Sequence, residues 1–302
     1  MDYNNSKCKC GREAVFLRIN EGAHYCGSCL TRQVERNFQK TISKGKMLEK
    51  NDVVAVGVSG GKDSMVLLHL MNKLSKKLPM KLIAVTIDEG IAGYRDRSIN
   101  FVKQFANDLG IEQRTFSFNN ELDVSIDNLV KNDPKVKTCT YCGVFRRSLL
   151  NKAGREVGAD KVAVGHNLDD EAQSVLMNVM RGDMKRMARL SKISERFVRR
   201  IKPLKNMPEK EIVAYAIINN IPYFDGECPN SFNNARRDVQ TMLNDMEQKY
   251  PGTKNNIINF YRKLPAIPIE TSPMACTKCG EPSSHEVCKA CELLEKAKGI
   301  IK

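Results

Sequence analysis

The chain has no tryptophan, and Phe and Tyr together make up only 6% of its 302 residues. Base stacking on aromatic rings is therefore not an obvious theme of the sequence. Long apolar runs are missing too. Segments such as Val53 to Val58 fall far short of the roughly 20 residues that a membrane span needs. The opening Met1-Asp2-Tyr3-Asn4-Asn5 lacks the basic-then-apolar order of an export signal. We expect a soluble, cytoplasmic protein with no membrane partner. No low-complexity segment and no repeat beyond two cysteine knuckles is found. Acidic residues are outnumbered, 35 Asp and Glu against 49 Lys and Arg, for a formal charge of +14. Such an excess points to a polyanionic partner, although a generally basic proteome would also produce it. With 41% hydrophobic and 28% charged residues, the chain can bury a substantial core. Its length suggests about two domains.

Cysteine is abundant, with eleven in a chain lacking an export signal. Reducing compartments disfavour disulfides, so clustered cysteines point to metal or redox chemistry. Cys8-x-Cys10 is followed after fifteen residues by Cys26-x2-Cys29, and Cys276-x2-Cys279 after eight by Cys288-x2-Cys291. Each set offers four thiolates, the donor set of structural zinc. The gap between Cys8 and Cys10 is tighter than usual. His24 is an alternative ligand there, though an exposed loop histidine is the preferred reading. Cys139, Cys142 and Cys228 remain. A cubane iron–sulfur cluster takes four cysteines for full ligation, and three would leave one iron open. A Cys139–Cys142 redox pair with Cys228 as persulfide carrier, or three unrelated buried thiols, are the competing readings.

Val53 to Val58 reads as a buried strand leading into Ser59-Gly60-Gly61-Lys62-Asp63-Ser64, after which Met65, Leu67, Leu68, Leu70, Met71 and Leu74 follow helical spacing. Strand, glycine-rich turn and helix start together make a phosphate site, with Ser59, Ser64 and Lys62 as further donors. The spacing is not that of a Walker A loop, because Gly57 stands one residue too close to Gly61 and Asp63 follows the lysine. Further strands are predicted at Lys81–Ile87, Gln113–Phe118 and Lys161–Gly165, with helices at Tyr94–Leu109 and from the 166–171 segment to Met180. This alternation predicts an α/β fold with a parallel sheet. Ligands of such sheets bind at the carboxyl ends of the strands. That expectation brings the loops at Ser59, Asp88 and Gly165 together and puts Asp169 and Asp170 near the phosphates, to hold Mg²⁺ or take a proton. A plain helix N-terminus would account for the acidic pair equally well.

Ser-Gly-Gly-Lys-Asp-Ser matches the signature of the PP-loop ATP pyrophosphatase superfamily at every position. The wider order resembles the tRNA 2-thiouridine synthetases of the TtuA/NcsA type. Its members of the pattern are the N-terminal knuckle, the loop, Asp88-Glu89-Gly90-Ile91-x-Gly93-Tyr94-Arg95, Cys139-x2-Cys142-Gly143, Gly165-His166-Asn167-x-Asp169-Asp170-Glu171, Glu227-Cys228-Pro229 and the C-terminal ribbon. The resemblance implies a PP-loop (adenine nucleotide alpha hydrolase-like) domain flanked by two zinc ribbons. It implies ATP held by Gly57, Val58, Ser59, Gly60, Gly61, Lys62, Asp63 and Ser64, with Ile87 meeting adenine through backbone and Gly165 lining the pocket. It implies a [4Fe-4S] cluster on Cys139, Cys142 and Cys228, and Asp170 as the catalytic aspartate. Arg146 stands where some members have lysine; it keeps the charge but cannot exchange a proton, which leaves phosphate clamping. Cofactors would be ATP, Mg²⁺, the cluster and two Zn²⁺.

The implied reaction adenylates the C2 oxygen of a tRNA uridine, and a sulfur nucleophile on the open iron then displaces AMP. Wobble uridine 34 is the expected target. Uridine 54, an iron-free persulfide thiolase, and a redox-sensing RNA-binding protein with a vestigial ATP site are the alternatives. Free sulfide, a thiocarboxylated ubiquitin-like protein or a desulfurase would serve as sulfur donor, and a homodimer is compatible with the family. We divide the chain into a knuckle (1–30), a basic linker helix (31–50), the catalytic domain (51–225), a helical extension carrying Cys228 (226–270) and the C-terminal ribbon (271–302). RNA contact is expected from Arg181 to Lys202, which holds nine Lys or Arg, and from Arg32, Arg36, Lys40, Lys44 and Lys46. A late polar helix is expected over Asn233 to Lys249, carrying Arg236 and Arg237.

Overall fold

The computed structural model describes residues 6–189, 198–230, 235–265 and 274–301, with only the backbone of Lys185 and Arg189. A short hairpin, β1 (Phe16–Arg18) and β2 (Ala23–Tyr25), precedes the long helix α1 (Gly27–Lys44). The central segment then alternates: β3 (Val53–Gly57), α2 (Lys62–Ser75), β4 (Lys81–Asp88), α3 (Arg95–Asp108), β5 (Glu112–Ser117), α4 (Phe118–Leu122), α5 (Ile126–Asn132), α6 (Thr138–Glu156), β6 (Lys161–Ala163), α7 (Leu168–Met180), α8 (Met184–Arg189), β7 (Arg199–Ile201) and α9 (Glu209–Ile218). Two helices, α10 (Ala235–Lys249) and α11 (Thr253–Lys263), lead to the strand pair β8 (Met274–Ala275) and β9 (Pro282–Ser283) and to α12 (Lys289–Ile301).

The β3–β7 strands form one parallel sheet in the order β5-β4-β3-β6-β7. The chain leaves β3 in one direction for β4 and later returns on its other flank as β6. The carboxyl ends of β3 and β6 are therefore the switch point, where a crevice opens between diverging loops. Apolar layers cover both faces. On one, α1, α2, α3 and α9 pack around Val54 and Val56; on the other, α5, α6 and α12 pack around Ala55, Ile83 and Val85. A third apolar cluster joins α7 to α10 and α11 through Ala172, Val175, Val239, Leu243 and Ile258.

Three expectations change. The helix placed within a linker over 31–50 starts at Gly27, inside the knuckle. It is no spacer, because Leu30, Val34, Phe38 and Ile42 recur every four residues and bury fully against the core. Each such side chain contributes about 1.5–3 kcal/mol. His24 lies on strand β2, paired with Leu17, and not in a loop. The basic run from Arg181 to Lys202 is not one charged element. Its ends are the short helix α8 and the edge strand β7, whose Ile201 is buried in the core, while residues 190–197 lie outside the described residues. Strand β7 pairs with β6 alone and is short, so its sequence carries little apolar periodicity. Asn233 and Asn234, the start of the expected late helix, also lie outside the described residues. From Ala235 onward that helix is α10.

Candidate active site

The glycine turn after β3 is closed by its own hydroxyls. Ser64, in the first turn of α2, accepts the Ser59 N–H at 3.0 Å, donates to the Gly61 carbonyl at 2.8 Å and touches the Ser59 hydroxyl at 3.2 Å. Ser64 thus fastens the loop and is not a free phosphate donor in this arrangement. No side chain caps α2, so the first N–H groups of the helix are left for an anion. Gly60 has φ +88°, and a β-carbon there would lie 2.9 Å from the Ser98 carbonyl oxygen. A β-carbon on Gly165 would lie 3.1 Å from the Asp63 carbonyl carbon, so the loop after β6 rests directly on the glycine loop. Gly57 is packed against Leu150 of α6, and Val58 is buried. Gly60→Ala is expected to weaken ATP binding about tenfold or more, since both the left-handed backbone and the Ser98 contact oppose a side chain. Isothermal calorimetry would measure it, and unchanged affinity would contradict this account of the loop.

Lys62 lies 2.6 Å from Glu209 and 3.3 Å from Asp63. Burial works against its charge, but the two carboxylates outweigh burial and raise its pKa. Burial pushes Asp63 up, while Lys62 and an amide hydrogen bond from Asn167 (3.0 Å) pull it down. Asp170 forms a capping box with Asn167 at the start of α7, and its other oxygen accepts from Arg236 at 2.8 Å. Asp169 does not face the crevice, contrary to the expectation that it would sit near the phosphates. It is buried, accepts the Glu209 N–H at 2.9 Å and pairs with the buried Lys254 of α11. Consecutive residues of a helix point in different directions, and here only Asp170 keeps to the open side.

Behind the loop sits a buried ion pair. Arg95 and Glu89 are each only 4% exposed and lie 2.6 Å apart. Arg95 also donates to the Ser59 carbonyl at 3.0 Å and to the Ile87 carbonyl. Ile87 itself is buried in the core, so its contribution to a nucleotide pocket is confined to backbone already shared with Arg95. The second Glu89 oxygen faces Arg146 at 3.6 Å. Arg146 lies on α6, one turn beyond Cys142, and is half exposed.

Cys139 and Cys142 occupy the first two turns of α6, and Cys228 sits in the coil after α9. The two segments are tied by the Thr138 hydroxyl, which donates to the Asn230 carbonyl at 3.1 Å. Cys142 and Cys228 pack into the same apolar layer. Burial pushes the Cys142 thiol up to about 11, with Arg146 opposing it. Among the described residues, the groups of three or more ligand atoms drawn within 4.8 Å of one another are two: Cys8, Cys10, Cys26 and Cys29, and Cys276, Cys279, Cys288 and Cys291. In the first set Cys10 and Cys26 sulfurs are 3.5 Å apart. In the second, Cys276–Cys291 and Cys279–Cys288 are 3.9 and 3.6 Å apart. Four thiolates at about 2.3 Å from one zinc would stand at such separations. Backbone N–H groups of Cys288 and Cys291 donate to sulfurs of the second set, as a thiolate requires. His24 is not in the first set. Cys139, Cys142 and Cys228 are not among these groups, but Cys139 and Cys228 both lie close enough to Cys142 to act on its thiol electrostatically.

A glycine loop at the switch point of a parallel sheet, with a bare helix N-terminus above it, defines the chain as a PP-loop protein, and the PP-loop domain family matches residues 30–245. Similarity continues through both cysteine-rich ends. The tRNA 2-thiolation protein NcsA of Haloferax volcanii is 36% identical over 97% of this chain and 99% of its own length. Cytoplasmic tRNA 2-thiolation protein 1 of Drosophila melanogaster is 38% identical over 96% of this chain and 87% of its own. A solved structure, the U34-tRNA thiolase NcsA of Methanococcus maripaludis with its [4Fe-4S] cluster, matches with a TM-score of 0.87 at 37% identity, covering 97% of both chains. The chain belongs to the NcsA family of tRNA 2-thiolation proteins.

Several residues at the site had no role assigned from sequence. Glu89 and Arg95 stand six residues apart in one motif, and their opposite charges are the signal for the pair. Glu209 carried no signal, and Arg236, expected only as a basic residue of the late helix, gave none for its pairing, since their partners Lys62 and Asp170 lie far away along the chain.

Proposed function

We propose that this protein is an ATP-dependent tRNA sulfurtransferase that makes 2-thiouridine, at wobble uridine 34. One observation carries the reading: Arg95 grips the Ser59 carbonyl of the PP-loop and pairs with buried Glu89, whose second oxygen faces Arg146, one turn beyond Cys142. The PP-loop glycines and the N–H groups of α2 would bind the ATP phosphates, with Lys62 exchanging Glu209 for phosphate and Mg²⁺ entering with the nucleotide. The uridine C2 oxygen would attack the α-phosphorus, and pyrophosphate would leave. A sulfur nucleophile then adds to C2, and AMP departs with the former C2 oxygen. Cys139, Cys142 and Cys228 would hold a [4Fe-4S] cluster, which when bound supplies an iron with an open position for activating sulfur. Asp170, steadied by Asn167 and Arg236, would take the proton released as C2 changes its substituent. Arg146, half exposed beside Cys142, would meet phosphate charge. Each four-cysteine set would hold one Zn²⁺ and fix a segment with little core of its own.

Target position 34 is supported by the Methanococcus maripaludis relative, a U34-tRNA thiolase. No described helix is long and apolar enough to cross a membrane, and the cytoplasmic relatives favour the same location here. The test is mass spectrometry of tRNA incubated with anaerobically purified protein, ATP and sulfide. We expect 2-thiouridine at position 34, with pyrophosphate released in step with it. Thiolation at position 54 would correct the target, and ATP turnover without tRNA thiolation would overturn the reading. Sulfide, a thiocarboxylated ubiquitin-like protein and a desulfurase can be compared as donors in the same assay.

A further inference from the structure

A chain poor in aromatic residues has placed three of them together beside the nucleotide loop. Tyr94 and Phe224 meet edge to face, with ring centres 5.5 Å apart, and Phe101 lies against Phe224 at 6.1 Å with the rings tilted 47°. The group is fastened to the nucleotide loop twice. The Phe224 N–H donates to the Gly60 carbonyl at 2.9 Å, and Tyr94 immediately precedes Arg95, which grips the Ser59 carbonyl. On its other side Phe224 stands four residues before Cys228. Phe101 and Phe224 belong to none of the three apolar cores. Phe101 is 41% exposed on α3, and Arg97 occupies the same helix face one turn earlier, also exposed. Tyr94 packs against the core, but Phe101 and Phe224 do not, and two rings outside the core, one of them bonded through its backbone to the phosphate loop, are poorly explained by stability.

We propose that Phe101, Phe224 and Tyr94 form a stacking platform for an unpaired base of the RNA substrate. The proposal rests on the functional reading above and adds the surface that receives the base. RNA is read mainly in single-stranded loops, whose bases splay out onto aromatic side chains. A net charge of +14 holds the phosphate backbone without regard to sequence, so something short-range must hold the base. Mutual packing fixes the three rings in advance, which lowers the ordering cost of a stacked complex. Arg97, one turn from Phe101, is placed to meet the phosphate beside the stacked base.

The test uses the full chain, purified anaerobically, and a short RNA hairpin carrying 2-aminopurine in its loop. With the native protein we expect the fluorescence to be quenched by stacking. In Phe101→Ala the hairpin should bind about 5- to 150-fold more weakly with quenching lost, the range for removing one stacking ring. Phe101→Tyr should restore both, and ATP affinity should be unchanged in either variant. Phe101 is exposed, so its truncation leaves the fold intact. Unchanged hairpin affinity and quenching in Phe101→Ala would overturn the platform. A fall in ATP affinity with RNA binding intact would also overturn it, by assigning the rings to adenine. Failure of the native protein to thiolate tRNA would instead strike the functional reading, a result separable from these by the native control.

Discussion

Replacing Cys228 with alanine is expected to lower tRNA 2-thiolation by more than about 100-fold, because loss even of outer partners of metal ligands costs about 10- to 100-fold. The variant should also lose iron and acid-labile sulfide while keeping two zinc ions and native ATP affinity. The separation follows from where the thiol sits. Cys228 lies in coil after α9, tied to the start of α6 by the Thr138–Asn230 hydrogen bond, and belongs to neither four-cysteine set. Removing it touches no sulfur of the two ribbons and no atom of the Ser59–Ser64 loop. Metal analysis, the visible spectrum and calorimetry with ATP would read the three quantities on one preparation. Full iron content in the variant would sink the three-thiol cluster. Intact iron in the native protein, with thiolation surviving in the variant, would sink its part in sulfur transfer. Cys276→Ser is the natural control: it should cost one zinc and spare iron.

Arg95→Met is expected to destabilise the protein by about 3–5 kcal/mol, the range for breaking a buried ion pair from one side. The partner Glu89 is as deeply buried as Arg95 and would be left charged, with only the more distant and half-exposed Arg146 near it. Two backbone carbonyls, of Ser59 and Ile87, would lose a donor at the same time. The Ser59 contact makes the effect functional as well as structural, since the carbonyl belongs to the phosphate loop. Adding Glu89→Gln should recover part of the loss, because the stranded charge is then removed. A double-mutant cycle by urea denaturation isolates that coupling. Strict additivity of the two changes would contradict the pair as described, and ATP affinity measured on the folded fraction would show whether loop and pair are linked.

Most of the sheet was legible because its signals are local. Val53–Val58 and Lys81–Ile87 are short β-branched runs bounded by turn residues, and β3 and β4 follow them within a residue or two. The glycine loop was legible for the same reason: six consecutive residues carry both its geometry and its chemistry. Strand β7 was hidden because Arg199-Arg200-Ile201 reads as part of a charge run, and only pairing with β6 makes it a strand. Asp169 and Asp170 were indistinguishable in sequence. Their separation into a buried anchor and an open cap depends on Lys254 and Arg236, from helices that pack onto α7 much later in the chain. The scarcity of aromatic residues argued against stacking. Composition counts residues and says nothing about where three of them meet.

The C-terminal ribbon has a consequence for how the protein is made. Helix α12 places Leu293 and Ala297 in the apolar layer that holds Phe145, Leu149 and Ala153 of α6, and Glu281 takes a hydrogen bond from Asn151 at 2.8 Å and pairs with Arg155. The helix that carries Cys139 and Cys142 is therefore covered on its outer side by residues synthesised more than a hundred positions later. At the usual pace of translation, about 5–20 residues per second, the cysteine helix waits on the order of ten seconds for its cover. During that interval α6 lacks the packing of α12 and the contacts of Glu281 with Asn151 and Arg155. Completion of the apolar layer behind the cysteine helix would then be timed by docking of the ribbon, so that chains stalled before it would leave Phe145, Leu149 and Ala153 without the cover of Leu293 and Ala297.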